Sequence, residues 1–290
     1  MPIDCSKPAF TRPLADALAD GLAVELDLTP KPGLVDRWDS GSHPDLSYDS
    51  MRCSVELLRT YFQDCQRALV AAEPVEALRA LGVRAEQRML RLFGTNTHRG
   101  AIFLGGLLLA GAHTAEGGQV DKVPAAVSAA AARLFATRLP AGTVGAQVRA
   151  RYQAGGIVDE ALQGLPSVFQ VALPALRESV RMGLEPRSML YLAMARLMRA
   201  VEDTTALRRC GPEGLRILRA DGLLLESLVL DREDCECFLT ASNDRYRGLR
   251  LTMGGVADLL GISVGWSLFA PGQVGVAAPL SASEPIAESG

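Results

Sequence analysis

Apolar residues recur at helical spacing along this 290-residue chain, and this periodicity constrains the fold more than any other feature. One stripe has the spacing of three and four residues that an amphipathic helix requires, and it consists of Met51, Val55, Leu58, Phe62, Cys65 and Leu69. Long alternations of Val, Ile and Thr, which would indicate strands, are missing, and aromatic residues make up only 5 % of the chain. The sequence therefore predicts an all-α fold, a compact multi-helix bundle without a significant sheet.

Glycine and proline positions divide this helical pattern into segments. Pro74 ends the stripe described above, and a weaker helix follows it with a predicted break at Gly82. We expect one helical domain over residues 1–270, followed by a loose C-terminal tail over residues 271–290. The pair Gly155-Gly156 opens a loop near residues 154–166, where a boundary between two packed helical halves is left open.

Composition and charge exclude several functional classes. The formal net charge of −3 gives no support for nucleic acid as a partner. The longest apolar run, residues 101–112, is too short to span a membrane and predicts a buried helix. The six cysteines form no C-x-x-C pair and the N-terminus does not resemble a signal peptide, so we expect reduced thiols and a cytoplasmic protein. With only three histidines, zinc catalysis is not expected.

The segment from Gly94 to Gly100 is unusually rich in hydrogen-bonding groups. Two threonines, an asparagine, a histidine and an arginine lie between the two glycines, directly before the apolar run. A connection between two helices needs turn residues rather than this density of polar groups. The following helix also presents free N–H groups and the positive end of its dipole here. We interpret the segment as a polar, anion-binding site against a packed core.

Two further polar clusters lie in the long loop that follows the first predicted helix. The first contains Lys31, held between two prolines that restrict the backbone, and continues to Asp36 and Arg37. It could place an ammonium group for a ligand, or it could be a surface turn. The second contains His43 and Asp45, and its alternative role is to cap the next helix, with Asp45 or Ser47 as the N-cap.

A fourth cluster, Glu202-Asp203-Thr204-Thr205, is followed by Arg208 and Arg209. Adjacent carboxylates and hydroxyls suit Mg²⁺, which often takes one or two carboxylates together with substrate phosphates. The two arginines could bind phosphate, although an exposed charged turn is the alternative. Asp258 lies at the start of an otherwise apolar helix, either as a functional carboxylate or as a charge that favours the helix dipole.

Known phosphate-binding signatures are absent from the sequence. It contains neither G-x-x-x-x-G-K-[ST] nor a G-x-G-x-x-G between a strand and a helix. The polar clusters together nevertheless offer carboxylates for Mg²⁺, cations for phosphates and a few acid–base groups. From residue types alone we infer a helical enzyme that handles a polyphosphate or a nucleotide.

Five motifs, in order and over residues 15–270, resemble the triphosphoribosyl-dephospho-CoA synthase family. They are Thr29-Pro-Lys-Pro-Gly-Leu-Val-Asp36, Ser42-His43-x-Asp45, Gly94-Thr-Asn-Thr-His-Arg-Gly-Ala-Ile-Phe103, Asp203-Thr-Thr-x-x-x-Arg209-x-Gly211 and Gly254-Gly-x-Ala-Asp-Leu-Leu260. The chain departs from the family pattern at Arg99, where lysine is common, and at Thr205, where asparagine is common. The cation is kept at position 99, whereas the amide is lost at position 205.

The resemblance implies an all-helical enzyme that uses ATP as a ribosyl donor. The 2′-hydroxyl of 3′-dephospho-CoA attacks C1 of the ATP ribose, adenine leaves, and 2′-(5″-triphosphoribosyl)-3′-dephospho-CoA forms. A separate phosphoribosyl-dephospho-CoA transferase then attaches the prosthetic group to an acyl carrier subunit. Between the two enzyme systems that use this group, we favour malonate decarboxylase over citrate lyase, partly because of Arg99.

On this basis we assign expected roles to the polar clusters. Asp36 or Asp45 is the expected base, and His98 positions or protonates the substrate. We expect the remaining groups to bind substrate, namely Lys31, Arg37, His43, Thr95, Asn96, Thr97, Arg99 and Arg209. Mg²⁺ is expected to accompany ATP, with Asp203, Glu202 and Asp258 as its ligands.

Two rival functions remain open from the sequence. One is a Mg²⁺-dependent nucleotide or ADP-ribose hydrolase on a helical scaffold, which would use water instead of an acceptor hydroxyl. The other is a helical adaptor that binds a CoA-carrying partner without chemistry. Whether the chain forms a homo-oligomer is also left open, because an amphipathic stripe can be buried within one chain or between two.

Overall fold

The computed structural model describes residues 13–115, 119–136 and 144–273. Over these residues the chain forms twelve α-helices and no strand, which confirms the all-α prediction. The helices are α1 (Leu14–Asp27), α2 (Tyr48–Val70), α3 (Val75–Phe93), α4 (Arg99–Thr114), α5 (Val123–Ala136), α6 (Val144–Tyr152), α7 (Gly156–Leu162), α8 (Leu173–Arg181), α9 (Pro186–Ala200), α10 (Thr204–Leu230), α11 (Glu236–Leu249) and α12 (Gly254–Phe269). A π-helical segment, Ser167–Ala172, leads directly into α8.

Helices α1 and α12 pack together at the centre of the molecule. Their backbones approach closely because glycines meet at the crossing: a Cβ atom on Gly21 would lie 2.2 Å from the Gly265 nitrogen and 2.3 Å from the Gly261 carbonyl oxygen. Most residues of α12 are buried, and this helix also contacts α4 and α9. One continuous set of buried apolar residues extends from α1 to α12.

The stripe that identified α2 in the sequence is the face that α2 buries. Val55, Leu58, Phe62 and Cys65 are at most 2 % exposed, and the helix packs against α1, α3 and α4. At its N-terminus the Ser47 side chain accepts a hydrogen bond from the Ser50 backbone N–H, and the Ser50 side chain reciprocates.

Glycines affect two helices differently. The predicted break at Gly82 is wrong, because α3 continues through this residue, which lies close to Ile102 and Tyr61. Helix α10 begins at Thr204 and is kinked where Gly211 adopts a φ of 62° directly before Pro212.

The long loop between α1 and α2 packs against the second half of the chain. Gly33 N donates a 2.9 Å hydrogen bond to Asn243 Oδ1, and Arg187 Nη2 donates a 2.6 Å hydrogen bond to the Thr29 carbonyl. Ser42 Oγ donates to the Tyr246 carbonyl at 3.1 Å. Contacts between residues so far apart in sequence fix the loop on α9 and α11.

The C-terminal tail predicted over residues 271–290 falls largely outside the described part of the chain. Residues 271–273 form a short 3₁₀ turn after α12, and residues 274–290 are not described. The possible subdomain boundary near residues 154–166 contains α7, which packs on α4 and α5. The division of the chain into two packed helical halves stays a prediction. No helix in the described ranges has the length and apolar character needed to cross a membrane.

The glycine contact between α1 and α12 predicts that Gly21→Ala destabilises the fold. A methyl group there requires the two backbones to separate, and overpacking of this kind costs about 1–3 kcal/mol in the free energy of unfolding. Gly248→Ala is the matched control, since nothing lies within 4 Å of the added methyl group. Urea unfolding of both variants checks the prediction, and equal stabilities would contradict it.

Candidate active site

A cavity of about 700 Å³ lies between α3, α4, α5, α6 and α7 and extends to the N-termini of α10 and α12. This volume is in the range of roughly 300–1,000 Å³ that ligand sites occupy. One end of the cavity is polar, and its wall includes Thr95, Asn96, Thr204, Thr205 and Asp258. The cavity is also lined by apolar side chains, among them Leu78, Ile102, Phe103, Phe135 and Ile157. The site is therefore suited to a ligand with both charged and apolar groups.

Asp203 joins the N-termini of two helices at the polar end. Its Oδ1 atom caps α10 by accepting from the backbone N–H groups of Thr205 at 2.8 Å and Ala206 at 3.0 Å. Its Oδ2 atom accepts from the backbone N–H of Val256, in the first turn of α12, at 3.0 Å. Thr205 strengthens this junction, because its hydroxyl accepts from Gly254 N at 3.0 Å. The carboxylate is 1 % exposed, so its hydrogen bonds fix the two helix starts relative to each other.

Asp258 makes the corresponding connection to α4. Its carboxylate accepts hydrogen bonds from the backbone N–H groups of Gly100 and Ala101, in the first turn of that helix. Only glycine permits this approach, since a Cβ atom at position 100 would lie 2.1 Å from Asp258 Oδ2. Burial raises the pKa of Asp258 well above its usual range, and the nearby Glu25 and Asp203 carboxylates add to the effect.

Four arginines contribute to the cavity wall, namely Arg79, Arg99, Arg149 and Arg208. The acidic residues of the wall are Glu86 and Asp258, so the charges around the cavity favour an anion. Arg99 Nε lies 3.5 Å from Glu86 Oε1, and Arg79 donates to the Leu134 carbonyl at 2.7 Å. Arg208 is an exposed residue at the polar end, beside the start of α10.

The segment between Gly94 and Gly100 is divided by the structure. Thr95, Asn96 and Arg99 line the cavity, and the buried Oδ1 atom of Asn96 has no hydrogen-bond partner among the described residues. Thr97 and His98 turn instead toward α2. There His98 Nδ1 lies 2.8 Å from Ser54 Oγ and 3.1 Å from Thr97 Oγ1.

His98 is 3 % exposed and is held as a neutral imidazole. Burial lowers its pKa to about 4, and the Lys31 ammonium acts in the same direction. The buried Nε2 atom has no partner among the residues that the structure describes. His98 does not belong to the cavity wall, so its expected role in positioning or protonation stays a prediction.

Lys31 and Asp36 lie outside the cavity wall and are bonded within the protein. The Lys31 ammonium, 1 % exposed, donates to Glu25 Oε1 at 2.5 Å and to the Glu25 carbonyl at 2.7 Å. Asp36 accepts from the backbone N–H groups of Lys31 and Trp38, both at 2.8 Å, and from Asp39 at 3.2 Å. Burial raises the pKa of the Glu25 and Asp36 carboxyl groups, although the Lys31 ammonium opposes the shift at Glu25. This geometry gives Lys31 and Asp36 a structural role in the loop.

The other predicted residues of the loop and of α10 also lie away from the cavity. Arg37 is exposed, pairs with Asp27 at 3.0 Å and stacks over Tyr48, while Asp45 is exposed. Arg209 donates to the Ser42 carbonyl at 2.8 Å and so ties the loop to α10.

His43 lies beside Arg209 and is likewise turned into the protein. Its Nε2 atom is 2.8 Å from Thr252 Oγ1. Burial lowers the pKa of His43 to about 4, and Arg209 contributes to this shift. These contacts anchor the loop and place none of its predicted site residues in the cavity wall.

The three predicted magnesium ligands do not lie together. Glu202 is exposed and accepts from Gly155 N at 3.0 Å, whereas Asp203 is occupied by the two helix starts. Only Asp258 lines the cavity. Within residues 13–115, 119–136 and 144–273, no three His, Cys, Asp or Glu side chains are arranged to hold a metal ion. Magnesium at this site stays a prediction.

Comparison with known proteins identifies the family of this chain. Residues 11–273 match the CitG family, described as ATP:dephospho-CoA triphosphoribosyl transferase. The chain belongs to this family. A probable 2-(5″-triphosphoribosyl)-3′-dephosphocoenzyme-A synthase from Stutzerimonas stutzeri is 37 % identical over 266 residues, which cover 87 % of this chain and 90 % of that protein. No solved structure matches the chain.

A second relative gives the same result. The 2-(5″-triphosphoribosyl)-3′-dephosphocoenzyme-A synthase of Pectobacterium atrosepticum is 33 % identical over 267 residues, covering 87 % of each chain. The resemblance found in the sequence motifs is thereby confirmed, and the protein is a transferase of the CitG family.

Part of the cavity wall of this transferase is formed by residues that none of the five sequence motifs contains. Arg79 and Glu86 on α3 and Arg149 on α6 belong to no motif, yet all three line the wall. A signal for Glu86 was present in the sequence, because it follows Leu78 and Gly82 at intervals of four and so continues the inner face of α3. An acidic residue on that face indicates either a buried ion pair or a ligand.

The buried Lys31–Glu25 pair predicts strong coupling between these two residues. Glu25→Leu leaves a buried ammonium without its counter-ion and should lower the free energy of unfolding by about 3–5 kcal/mol. The Glu25→Leu, Lys31→Met double variant should lose less than the sum of the single variants, because no uncompensated charge is left. Urea unfolding in a double-mutant cycle measures this coupling, and additive losses would show that the pair is not coupled.

The depressed pKa of His98 predicts a pH-dependent contribution to stability. An unfolded histidine takes up a proton near its ordinary pKa of 6.5, whereas folded His98 does so only near 4. The unfolded state therefore binds more protons in this window, and His98 makes the fold less stable as the pH falls through it. Between pH 6 and pH 5 the free energy of unfolding should drop by about 1 kcal/mol more in the wild type than in His98→Asn.

The buried carboxyl groups also make the free energy of unfolding depend on pH, in the opposite direction. Because they are present in both proteins, their contribution cancels in the difference between the wild type and His98→Asn. Chemical unfolding at both pH values gives the two differences. Parallel losses in the wild type and the variant would show that His98 titrates normally in the folded protein.

Proposed function

We propose that this CitG-family transferase forms 2′-(5″-triphosphoribosyl)-3′-dephospho-CoA from ATP and 3′-dephospho-CoA and releases adenine. The observation that carries this proposal is the convergence of the α4, α10 and α12 N-termini, beside arginines, on a cavity that is also lined by apolar side chains. Helix N-termini and guanidinium groups are the partners that a polyphosphate needs. The family match and the names of both relatives support the same reaction.

The polar end of the cavity is the site we propose for the triphosphate. Arg99, Arg149 and Arg208 reach it from three different helices, and Thr95 and Asn96 add hydrogen-bonding groups. Lys31 and Arg209, which the sequence also suggested as phosphate ligands, would act indirectly by fixing the loop behind the helix starts.

Mg²⁺ fits this arrangement as an ion carried mainly by the triphosphate. Because Asp258 lines the cavity, it is the carboxylate that would complete the coordination. Asp203 would support the site from behind by holding the first turns of α10 and α12. When bound, the metal ion neutralises phosphate charge and so favours binding of the anion.

The reaction needs a site that stabilises positive charge on the ribose. Breaking the bond between C1′ and adenine produces an oxocarbenium-like centre, and the triphosphate would supply negative charge nearby. A ligand bound against the cavity wall would also be shielded in part from water, which competes with the acceptor hydroxyl. We propose that the product supplies the prosthetic group of malonate decarboxylase in preference to that of citrate lyase, through a separate transferase and the acyl carrier subunit.

The proposed reaction predicts that ATP and 3′-dephospho-CoA together give adenine and the triphosphoribosylated product in equal amounts. Mass spectrometry detects the product, and chromatography measures adenine. Adenine or phosphate release without dephospho-CoA would instead indicate a hydrolase. An adaptor would leave ATP unchanged.

The proposed triphosphate site predicts that Arg208→Gln weakens ATP binding. Loss of a charge-assisted hydrogen bond costs about 1.5–3 kcal/mol, which raises the KM for ATP by roughly 10- to 100-fold. Arg216→Gln is the matched control, because Arg216 lies on the same helix, is exposed and pairs with Glu213. Steady-state kinetics at saturating dephospho-CoA separates the two variants. Equal KM values would place the triphosphate elsewhere.

A further inference from the structure

Several side chains that line the cavity are suited to contact with a planar aromatic group. Phe103 and Phe135 have ring centroids 5.6 Å apart, and together with Leu78 and Ile157 they form the part of the wall that we call the apolar compartment. Aromatic and aliphatic side chains of this kind bind the faces of a ring by dispersion and burial. The apolar compartment and the polar end belong to the same cavity, so a single ligand can contact both.

Glu86 is the acidic residue that α3 contributes to the cavity. It lies on the same helix face as Leu78 and Gly82, and its side chain is 29 % exposed. Arg99 on α4 is its ion-pair partner at 3.5 Å, and the Tyr61 hydroxyl on α2 lies near enough to be influenced by its charge. Burial raises the pKa of Glu86, although Arg99 opposes the shift. Glu86 therefore reaches the cavity from the same face of α3 as Leu78 and Gly82, and its burial favours the protonated form.

We propose, on the basis of the function proposed above, that the apolar compartment binds the adenine of ATP and that Glu86 donates a proton to a ring nitrogen of adenine as it leaves. This makes Glu86 a catalytic residue that none of the sequence motifs contains.

The placement of the nucleotide follows from the residues that line the cavity. The triphosphate belongs at the helix N-termini and the arginines. The base is the uncharged part of ATP, and the apolar compartment offers it apolar contacts.

The chemistry explains why an acid is needed at this position. Adenine leaves poorly as an anion, and a proton on N3 or N7 allows it to leave as a neutral molecule. The C1′–N9 bond breaks with its electron pair going to adenine, while a bond forms between C1′ and the 2′-oxygen of dephospho-CoA. The hydroxyl proton passes to water, and Glu86 regains its proton from water after adenine has left. No oxidant or reductant is required.

The test compares two donors in the wild type and in Glu86→Gln. ATP requires protonation of its leaving group, whereas the 5′-triphosphate of p-nitrophenyl β-D-ribofuranoside releases a stable phenolate without it. We expect kcat with ATP to fall by about 10²- to 10⁴-fold in Glu86→Gln. With the nitrophenyl donor, kcat should stay within about threefold of the wild type.

Glu76→Gln is the matched control, since Glu76 lies on the same helix, is exposed and does not line the cavity. This variant should behave like the wild type with both donors. Thermal unfolding of each variant monitors the fold. If Glu86→Gln does not fold, Glu86→Asp provides the same comparison: a shortened acid should lose more activity with ATP than with the nitrophenyl donor.

Two outcomes would overturn this role. Unchanged turnover of ATP in Glu86→Gln would show that no acid acts at this position, and equal losses with both donors would show that Glu86 only supports the cavity. Failure of the reaction itself is a separate result, since the wild-type enzyme would then form no product from ATP and dephospho-CoA.

Discussion

The arrangement of the candidate site depends on two carboxylates that each bind the first turn of a neighbouring helix. Asp203 caps α10 and also binds the first turn of α12, and Asp258 on α12 binds the first turn of α4. Isolated helices would present their N-termini in unrelated directions. These hydrogen bonds compensate the cost of burying the carboxylates and bring the positive ends of three helix dipoles to one end of a cavity.

The loop between α1 and α2 reinforces this arrangement from behind. Lys31 forms a buried ion pair with Glu25, and Asp36 satisfies three backbone N–H groups of the loop itself. Arg209 links the loop to α10. Motif residues that suggested substrate binding thus serve to hold the chain in place, and the cations that face the cavity include Arg149, which no motif contains.

The fold and the general position of the site could be predicted from the sequence, but the division of roles could not. Helical periodicity identified α2, and the polar groups beside Gly94 did lead to the cavity, since Thr95, Asn96 and Arg99 line it. The same segment turns Thr97 and His98 the other way, toward Ser54. Adjacent residues at a helix start point in different directions, and only the position of α2 decides which of them face a ligand.

What the sequence determined by itself was the all-α fold, the family and the motifs that carry its polar groups, because spacing and residue type are local properties. The tertiary structure alone decided which of those groups are exposed to the cavity. Burial and charge pairing arise between distant segments: Lys31 is neutralised by Glu25, whereas Arg208 is exposed at the cavity wall. Residue type states that a group can bind phosphate, but its neighbours in the fold determine whether it is free to do so.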